Sequence, residues 1–235
     1  MARSVLIWSK GDGRQVSELK ENGTNTIGRA PESDILLEDQ TISRRHAELR
    51  VTEGAFILEN VSKTNVAKVN GVAIDRPVPL SDQDSVEVGG LHLTFHDLQA
   101  GDRISGPMCS HCSRENMPTD EDCWYCGTSL VNAPTSILET RKVACRIVSD
   151  AGDTFDIHEG EAFVILPGEG PQVVSGDNQP AGAAAIRPRE SAPGAELDPQ
   201  GASLTVNGKP ASTSQPLKTG DEVETEGARF TIVVR

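Results

Sequence analysis

Aromatic residues are scarce in this chain of 235 residues, where two tryptophans, one tyrosine and five phenylalanines make up 3% of the sequence. With 22 glycines and 14 prolines beside them, that scarcity argues against a large helical core and for turn-rich β structure. Positive charge is also short. There are 22 Lys and Arg against 35 Asp and Glu, a formal net charge of −13, which argues against general binding to nucleic acid or anionic membrane surfaces. No apolar run approaches the length of a membrane span. Ser4-Val5-Leu6-Ile7-Trp8 is too short for the core of a secretory signal and reads as a first strand. Gly11-Asp12-Gly13 is followed by no helix pattern, and no Gly-Lys-Ser/Thr occurs, so a hairpin turn is the reading there and not a nucleotide loop. Of five cysteines, four form two C-x-x-C pairs. In an intracellular chain that pattern means metal more often than disulfide, and the expected location is the cytoplasm.

What is present is a set of short polar clusters spaced between runs of β-type residues. They are Gly28-Arg29, Ser43-Arg44-Arg45-His46, and Thr64-Asn65 leading to Val69-Asn70-Gly71. The clusters fall on loops joining strands, and loops gathered at one end of a β-sandwich make a binding site from residues far apart in sequence. A guanidinium, a hydroxyl and an amide so gathered suit a phosphate attached to a peptide backbone. Against the acidic average, residues 41–50 hold three arginines and one glutamate, so this stretch is locally basic.

At these spacings, Gly28-Arg29, Ser43-x-x-His46 and Thr64-Asn65 with Asn70-Gly71 resemble a forkhead-associated (FHA) domain, over roughly residues 4–97. The resemblance implies a phosphothreonine-peptide site in which Arg29 and Ser43 bind the phosphate and Arg44 adds a second basic contact. Thr64 would join them, and Asn65 would hold the ligand backbone. It also implies that Gly28, His46, Asn70 and Gly71 support the site, with His46 holding two loops in register. The family usually has Gly-Thr after the asparagine, whereas this chain has Val66-Ala67. A positive φ there would strain valine, so a reshaped loop is expected.

Farther along, Val86 to Val88 and Leu91 to Phe95 read as a closing hairpin. Alternation sets Leu91, Leu93 and Phe95 on one face and His92, Thr94 and His96 on a solvated one. Cys109, Cys112, Cys123 and Cys126 then have the spacing of a closed, structural four-cysteine zinc site, and the segment looks like a zinc ribbon. Trp124-Tyr125 could stack on bases. Yet Arg114 stands alone there against Glu115, Asp120, Glu121 and Asp122, and that balance disfavours nucleic acid. Cys145 reads as a buried strand thiol.

The last third repeats the first domain faintly. Val164-Ile165-Leu166-Pro167 stands where Thr26-Ile27-Gly28-Arg29 stood, Val206-Asn207-Gly208 echoes Val69-Asn70-Gly71, and Asp221 to Glu224 echoes Asp84 to Glu87. Arg29, Ser43 and His46 are matched by Pro167, Ala181 and Ala184, so the second copy keeps a scaffold without a phosphate site. Residues 175–203, rich in Ala, Gly and Pro, are expected to form a long mobile loop.

The expected architecture is all-β. An N-terminal FHA sandwich (1–97) leads through a linker (98–107) to a zinc ribbon (108–130). A second linker (131–141) leads to a degenerate FHA-like sandwich (142–235). The expected role is a non-enzymatic adaptor in Ser/Thr kinase signalling. Its partner would be a phosphothreonine-containing protein, a kinase or its substrate, with no membrane and no nucleic acid involved and Zn²⁺ as the structural metal. The rival is a scaffold whose sandwiches make phosphate-independent contacts.

Overall fold

Strict alternation builds the sheets. In the strand Ala47–Thr52 the buried residues are Ala47, Leu49 and Val51, and the residues between them turn away from the core. The computed structural model describes residues 4–11, 13–52, 54–98, 104–131, 133, 135–137, 142–166, 170–175, 179–189, 194–225 and 227–235. No helix occurs among them. The chain divides into two compact units, Arg3–Thr140 and Arg141–Arg235.

The first unit has eleven strands in a sandwich. In chain order they are β1 (Ser4–Lys10), β2 (Gly13–Glu18), β3 (Gly23–Gly28), β4 (Ile35–Leu36), β5 (Ala47–Thr52), β6 (Ala55–Asn60), β7 (Lys68–Val69), β8 (Val72–Ala73), β9 (Val78–Pro79), β10 (Ser85–Val88) and β11 (Leu91–Asp97). One sheet runs β2-β1-β11-β10-β7-β8 and the other β4-β3-β5-β6-β9. Leu6, Val86, Leu93 and Phe95 of the first sheet share one core with Ile27, Leu49 and Leu58 of the second. Pro79 sits on the edge strand β9, where its missing N–H costs no ladder bond.

The solvated face expected around His92 and His96 holds only in part. His92 is exposed, but His96, opposite Val5 in the pairing of β1 with β11, is buried. The two expected linkers contain short strands, β12 (Ile104–Pro107) and β13 (Thr135–Ile137), which pair with each other. The cysteine segment lies between them, in the same compact unit as the first sandwich.

The second unit repeats the strand order. Its strands are β14 (Cys145–Ser149), β15 (Thr154–Ile157), β16 (Glu161–Leu166), β17 (Gly170–Ser175), β18 (Ala184–Pro188), β19 (Ala195–Asp198), β20 (Thr205–Val206), β21 (Lys209–Pro210), β22 (Gln215–Leu217), β23 (Glu222–Glu224) and β24 (Arg229–Val234). The sheets run β15-β14-β24-β23-β20-β21 and β17-β16-β18-β19-β22, strand for strand the order of the first unit.

A corner motif repeats with it. Asn70 and Asn207 each take φ 50°, followed by Gly71 at 82° and Gly208 at 73°. That is a left-handed pair suited to a two-residue Asn-Gly hairpin. The Asn70 amide donates to Asp84 at 2.8 Å, and Asn207 to Asp221 at 2.9 Å.

Two expectations for the second unit are corrected. Residues 175–203 are not one long mobile loop, since β18 and β19 come from this stretch. Several of its alanines are core residues: Ala184 and Ala195 are buried with Ile186 and Leu197, and Ala183 and Ala185 with Ala162 and Val164. The alignment also shifts by one residue. Ile165 pairs with Ala184 as Ile27 pairs with Ala47, so Ala184 is the counterpart of Ala47 and not of His46. Pro167, the expected counterpart of Arg29, lies outside the described residues.

Candidate functional site

Gly28 ends β3 against the backbone of the loop that carries the serine. A Cβ on residue 28 would collide with the Arg44 carbonyl oxygen, so only glycine lets the two segments approach. The Arg29 N–H donates to the Ser43 carbonyl at 3.1 Å, and the Ala30 N–H to the Arg44 carbonyl at 3.1 Å. Arg29 and Ser43, fourteen positions apart, are therefore neighbours by main-chain pairing.

His46 fixes a third segment to these two. Its N–H donates to the Ile27 carbonyl at 2.8 Å, and its own carbonyl accepts from Val61 and Ser62, each at 2.9 Å. The ring Nδ1 accepts the Ser43 N–H at 3.1 Å, which requires the tautomer with hydrogen on Nε2. Nε2 has no hydrogen-bond partner in this fully buried position. Burial lowers the pKa of the ring, and the Asn65 backbone opposes this more weakly. Burial thus favours the neutral ring, and the contacts of His46 tie the Ile27, Ser43 and Val61–Ser62 segments together.

The hydroxyls converge where these segments meet. Ser43 Oγ is 2.7 Å from Ser62 Oγ and 3.3 Å from Thr64 Oγ1. Ser62 Oγ accepts the N–H groups of Thr64 at 3.3 Å and Asn65 at 3.2 Å. Ser62 is buried, and sequence reading passed over it because a lone serine beside Val61 carries no signal. The Asn65 Nδ2 donates to the Thr41 carbonyl at 2.6 Å, which ties the third loop to the second and leaves Oδ1 as an acceptor. Thr41 is itself set by the β10–β11 turn, where the Gly90 N–H donates to its Oγ1 at 2.9 Å.

Electrostatically, the arginines here fall into two groups. Arg45 pairs with Glu48, and Arg50 with Glu59 at 3.1 Å. Arg29 and Arg44 are exposed, and neither guanidinium meets an acid. Two uncommitted cations beside a hydroxyl cluster make a local positive field in an acidic protein. Val66 is not among the residues with positive φ, so this loop accommodates the valine without the strain a glycine-type conformation would impose, and the valine is 47% exposed next to Asn65. Asn70 and Gly71 are not part of this cluster. They turn the β7–β8 hairpin at the other end of β10, beside Asp84.

A second site lies at that far end. The Sγ atoms of Cys109, Cys112, Cys123 and Cys126 all lie within 4.8 Å of one another, with Cys109–Cys126 and Cys112–Cys123 both at 3.6 Å. Four thiolates about 2.3 Å from a tetrahedral ion would be about 3.8 Å apart, so the spacing fits a metal. Each C-x-x-C is followed by a left-handed residue, Ser113 (φ 56°) and Gly127 (φ 73°), which folds the loop back around the sulfurs. Arg114, from this segment, donates to Asp84 at 2.6 Å and lies over the Tyr125 ring at 4.7 Å. Trp124 packs against the first sandwich's core. By contrast Cys145 is fully buried, and desolvation pushes its thiol up to about 12, which leaves it inert.

The similarities to known proteins fall on the N-terminal residues. The FHA-domain family model matches residues 25–89. The oxoglutarate dehydrogenase inhibitor of Corynebacterium efficiens is 38% identical over 92 residues, which is 39% of this chain and 64% of that protein. The glycogen accumulation regulator GarA of Mycolicibacterium smegmatis is 37% identical over 92 residues, 39% of this chain and 58% of that one. The chain thus spans less than two thirds of the length of these relatives. Among solved structures, the FHA domain of the CT664 protein from Chlamydia trachomatis is 26% identical, with a TM-score of 0.39. It covers 40% of this chain and 97% of that one. The N-terminal FHA domain of S. cerevisiae Rad53p, solved with a phosphothreonine peptide, is 22% identical with a TM-score of 0.36. It covers 40% of this chain and 92% of that one.

Proposed function

We propose, from the match of the FHA-domain model to residues 25–89 of the N-terminal unit, that the chain is a non-catalytic adaptor in Ser/Thr kinase signalling which binds a phosphothreonine segment of a partner protein. The single observation behind this is the main-chain pairing of Arg29 with Ser43, whose hydroxyl belongs to a cluster with Ser62 and Thr64; an exposed arginine thus springs from the residue paired with that serine. Arg29 would give two parallel charge-assisted hydrogen bonds to the phosphate, Ser43 and Thr64 hydroxyl donors, and Arg44 added field. Asn65 Oδ1 would accept from the ligand backbone. The partner is a kinase or a kinase substrate in the cytoplasm.

The four cysteines would hold Zn²⁺ as thiolates, and the metal would supply folding free energy to a segment too short for a core of its own. Arg114 and Trp124 anchor that segment at the end of the sandwich remote from Arg29, so the metal serves architecture and leaves the phosphate loops open. The second unit is proposed as an FHA-like duplicate. Its strand order and Asn207–Asp221 corner support this, and with Ala184 matched to Ala47 the positions of Ser43 and His46 fall on Pro180 and Ala183.

Fluorescence anisotropy with one peptide, phosphorylated and unphosphorylated on threonine, tests the central reading. Binding confined to the phosphorylated form is expected. A second reading, phosphate-independent scaffolding, is favoured if Arg29→Ala keeps full partner binding.

A further inference from the structure

Four hydrogen-bonding groups meet at the hydroxyl of Ser62, a buried residue with a single side-chain proton to give. The N–H groups of Thr64 and Asn65 reach its Oγ at 3.3 and 3.2 Å. Ser43 Oγ stands at 2.7 Å and Thr64 Oγ1 at 3.5 Å. A backbone N–H can only donate, so those two bonds occupy both lone pairs of the Ser62 oxygen. Two hydroxyl oxygens 2.7 Å apart are at the normal length of an O–H···O bond, with a proton between them. Ser62 has no lone pair left to receive one. The proton of the short bond is therefore its own, and Ser62 donates to Ser43.

Both partners are held by their main chains. The Ser62 N–H donates to the His46 carbonyl at 2.9 Å, and its carbonyl accepts from Asn60 Nδ2 at 2.9 Å. The Ser43 N–H donates to His46 Nδ1 at 3.1 Å, and its carbonyl accepts from Arg29 at 3.1 Å. With the bond from Ser62 accepted, the Ser43 oxygen keeps one proton and one lone pair. Among the described residues its one further hydroxyl contact is Thr64 Oγ1 at 3.3 Å, longer than an ordinary O–H···O bond. The Ser43 proton is thus left for an acceptor that the protein does not supply.

We propose that Ser62 is a positioning residue of the phosphopeptide site: by donating to Ser43 it keeps the Ser43 proton turned outward for an anionic oxygen of the ligand. The inference rests on the phosphothreonine reading of these loops. An ionised phosphate only accepts hydrogen bonds, so it needs a serine that presents hydrogen and not a lone pair. A chain running from Ser62 through Ser43 to the phosphate also polarises each bond in it. Without the Ser62 hydroxyl, the Ser43 proton is free to turn, and aligning it falls to the ligand.

Neutron diffraction from crystals of the deuterated full chain, without ligand, reads the direction of the bond. Deuterium on Ser62 Oγ aimed at Ser43 is expected; deuterium on Ser43 Oγ aimed at Ser62 overturns the proposal. The consequence is read by calorimetry, using a phosphothreonine peptide selected on the wild-type chain from a degenerate library. Ser62→Ala should weaken binding about tenfold in the wild-type background. In a Ser43→Ala background the same change should have an effect at least about threefold smaller, because it acts through Ser43. A serine that only braced the loop would give the same factor in both backgrounds, and equal factors overturn the proposal. A thermal melt shows whether Ser62→Ala is folded; if it is not, Ser62→Cys, a weak donor of similar shape, takes its place. Failure to select any phosphothreonine peptide would end the functional reading, and the role of Ser62 with it, whereas a peptide that binds with equal factors or a reversed bond overturns this inference alone.

Discussion

The Arg29 N–H and the Ser43 carbonyl are joined by a 3.1 Å hydrogen bond, so the two side chains leave the backbone from paired residues. The cation and the hydroxyl are placed by main chain and not by flexible side-chain contacts, which keeps the ordering cost of a ligand low. Removing the guanidinium should therefore cost affinity without disturbing the frame. Arg29→Ala is expected to lose about 2 kcal/mol or more of phosphopeptide binding, roughly thirtyfold, with an unchanged melting temperature. Arg29→Lys should recover only part of the loss, since an ammonium cannot form the paired bonds. Calorimetric titration of the two variants checks this.

Gly28→Ala acts on the frame itself. The added methyl must displace the Arg44 carbonyl, which separates residue 29 from residue 43. A loss of about 1–3 kcal/mol in stability is expected together with weakened phosphopeptide binding, as denaturant titration and anisotropy would measure.

The buried ring of His46 gives the first unit an acid-sensitive step. Burial lowers its folded pKa, so the unfolded chain takes up the proton first as pH falls. Stability should be undiminished above the ordinary histidine value of about 6.5 and should decline below it until the folded pKa is reached. Thermal melts from pH 8 to pH 5 without ligand are expected to show that decline. His46→Asn, which keeps an acceptor for the Ser43 N–H, should flatten it.

Metal removal should separate architecture from recognition. Chelation, or Cys112→Ser, is expected to change Trp124 fluorescence in a Trp8→Phe background, because Trp124 packs on the sandwich core. The phosphopeptide dissociation constant should stay within about twofold, since the cysteines dock through Arg114 at Asp84, away from Arg29. Loss of binding on chelation would overturn that separation.

Much of this was legible in the sequence, for definite reasons. The β alternation, the Asn70-Gly71 turn and the cysteine spacing are local patterns with a single physical reading. Ser62 was not legible, because its role depends on a 2.7 Å approach to Ser43 that no spacing encodes. The Arg114–Asp84 pair escaped notice because both residues looked like ordinary surface charges, although Asp84 is buried. Strands β18 and β19 were hidden by composition. Short strands with alanine at core positions and little β propensity are held by packing of Ala184, Ile186, Ala195 and Leu197 in one cluster with Phe163 and Phe230. Tertiary context supplies that packing and local sequence does not. At Val66 the loop takes a course that needs no positive φ, which is compatible with the reshaping expected from the missing glycine.

The most direct measurement is the affinity of the full chain for one threonine peptide in two forms, phosphorylated and not, compared between the wild-type protein and Arg29→Ala. The account expects wild type to bind only the phosphorylated form, and Arg29→Ala to lose most of that affinity. Equal affinity for the two peptides, or full phosphopeptide binding by Arg29→Ala, would contradict it.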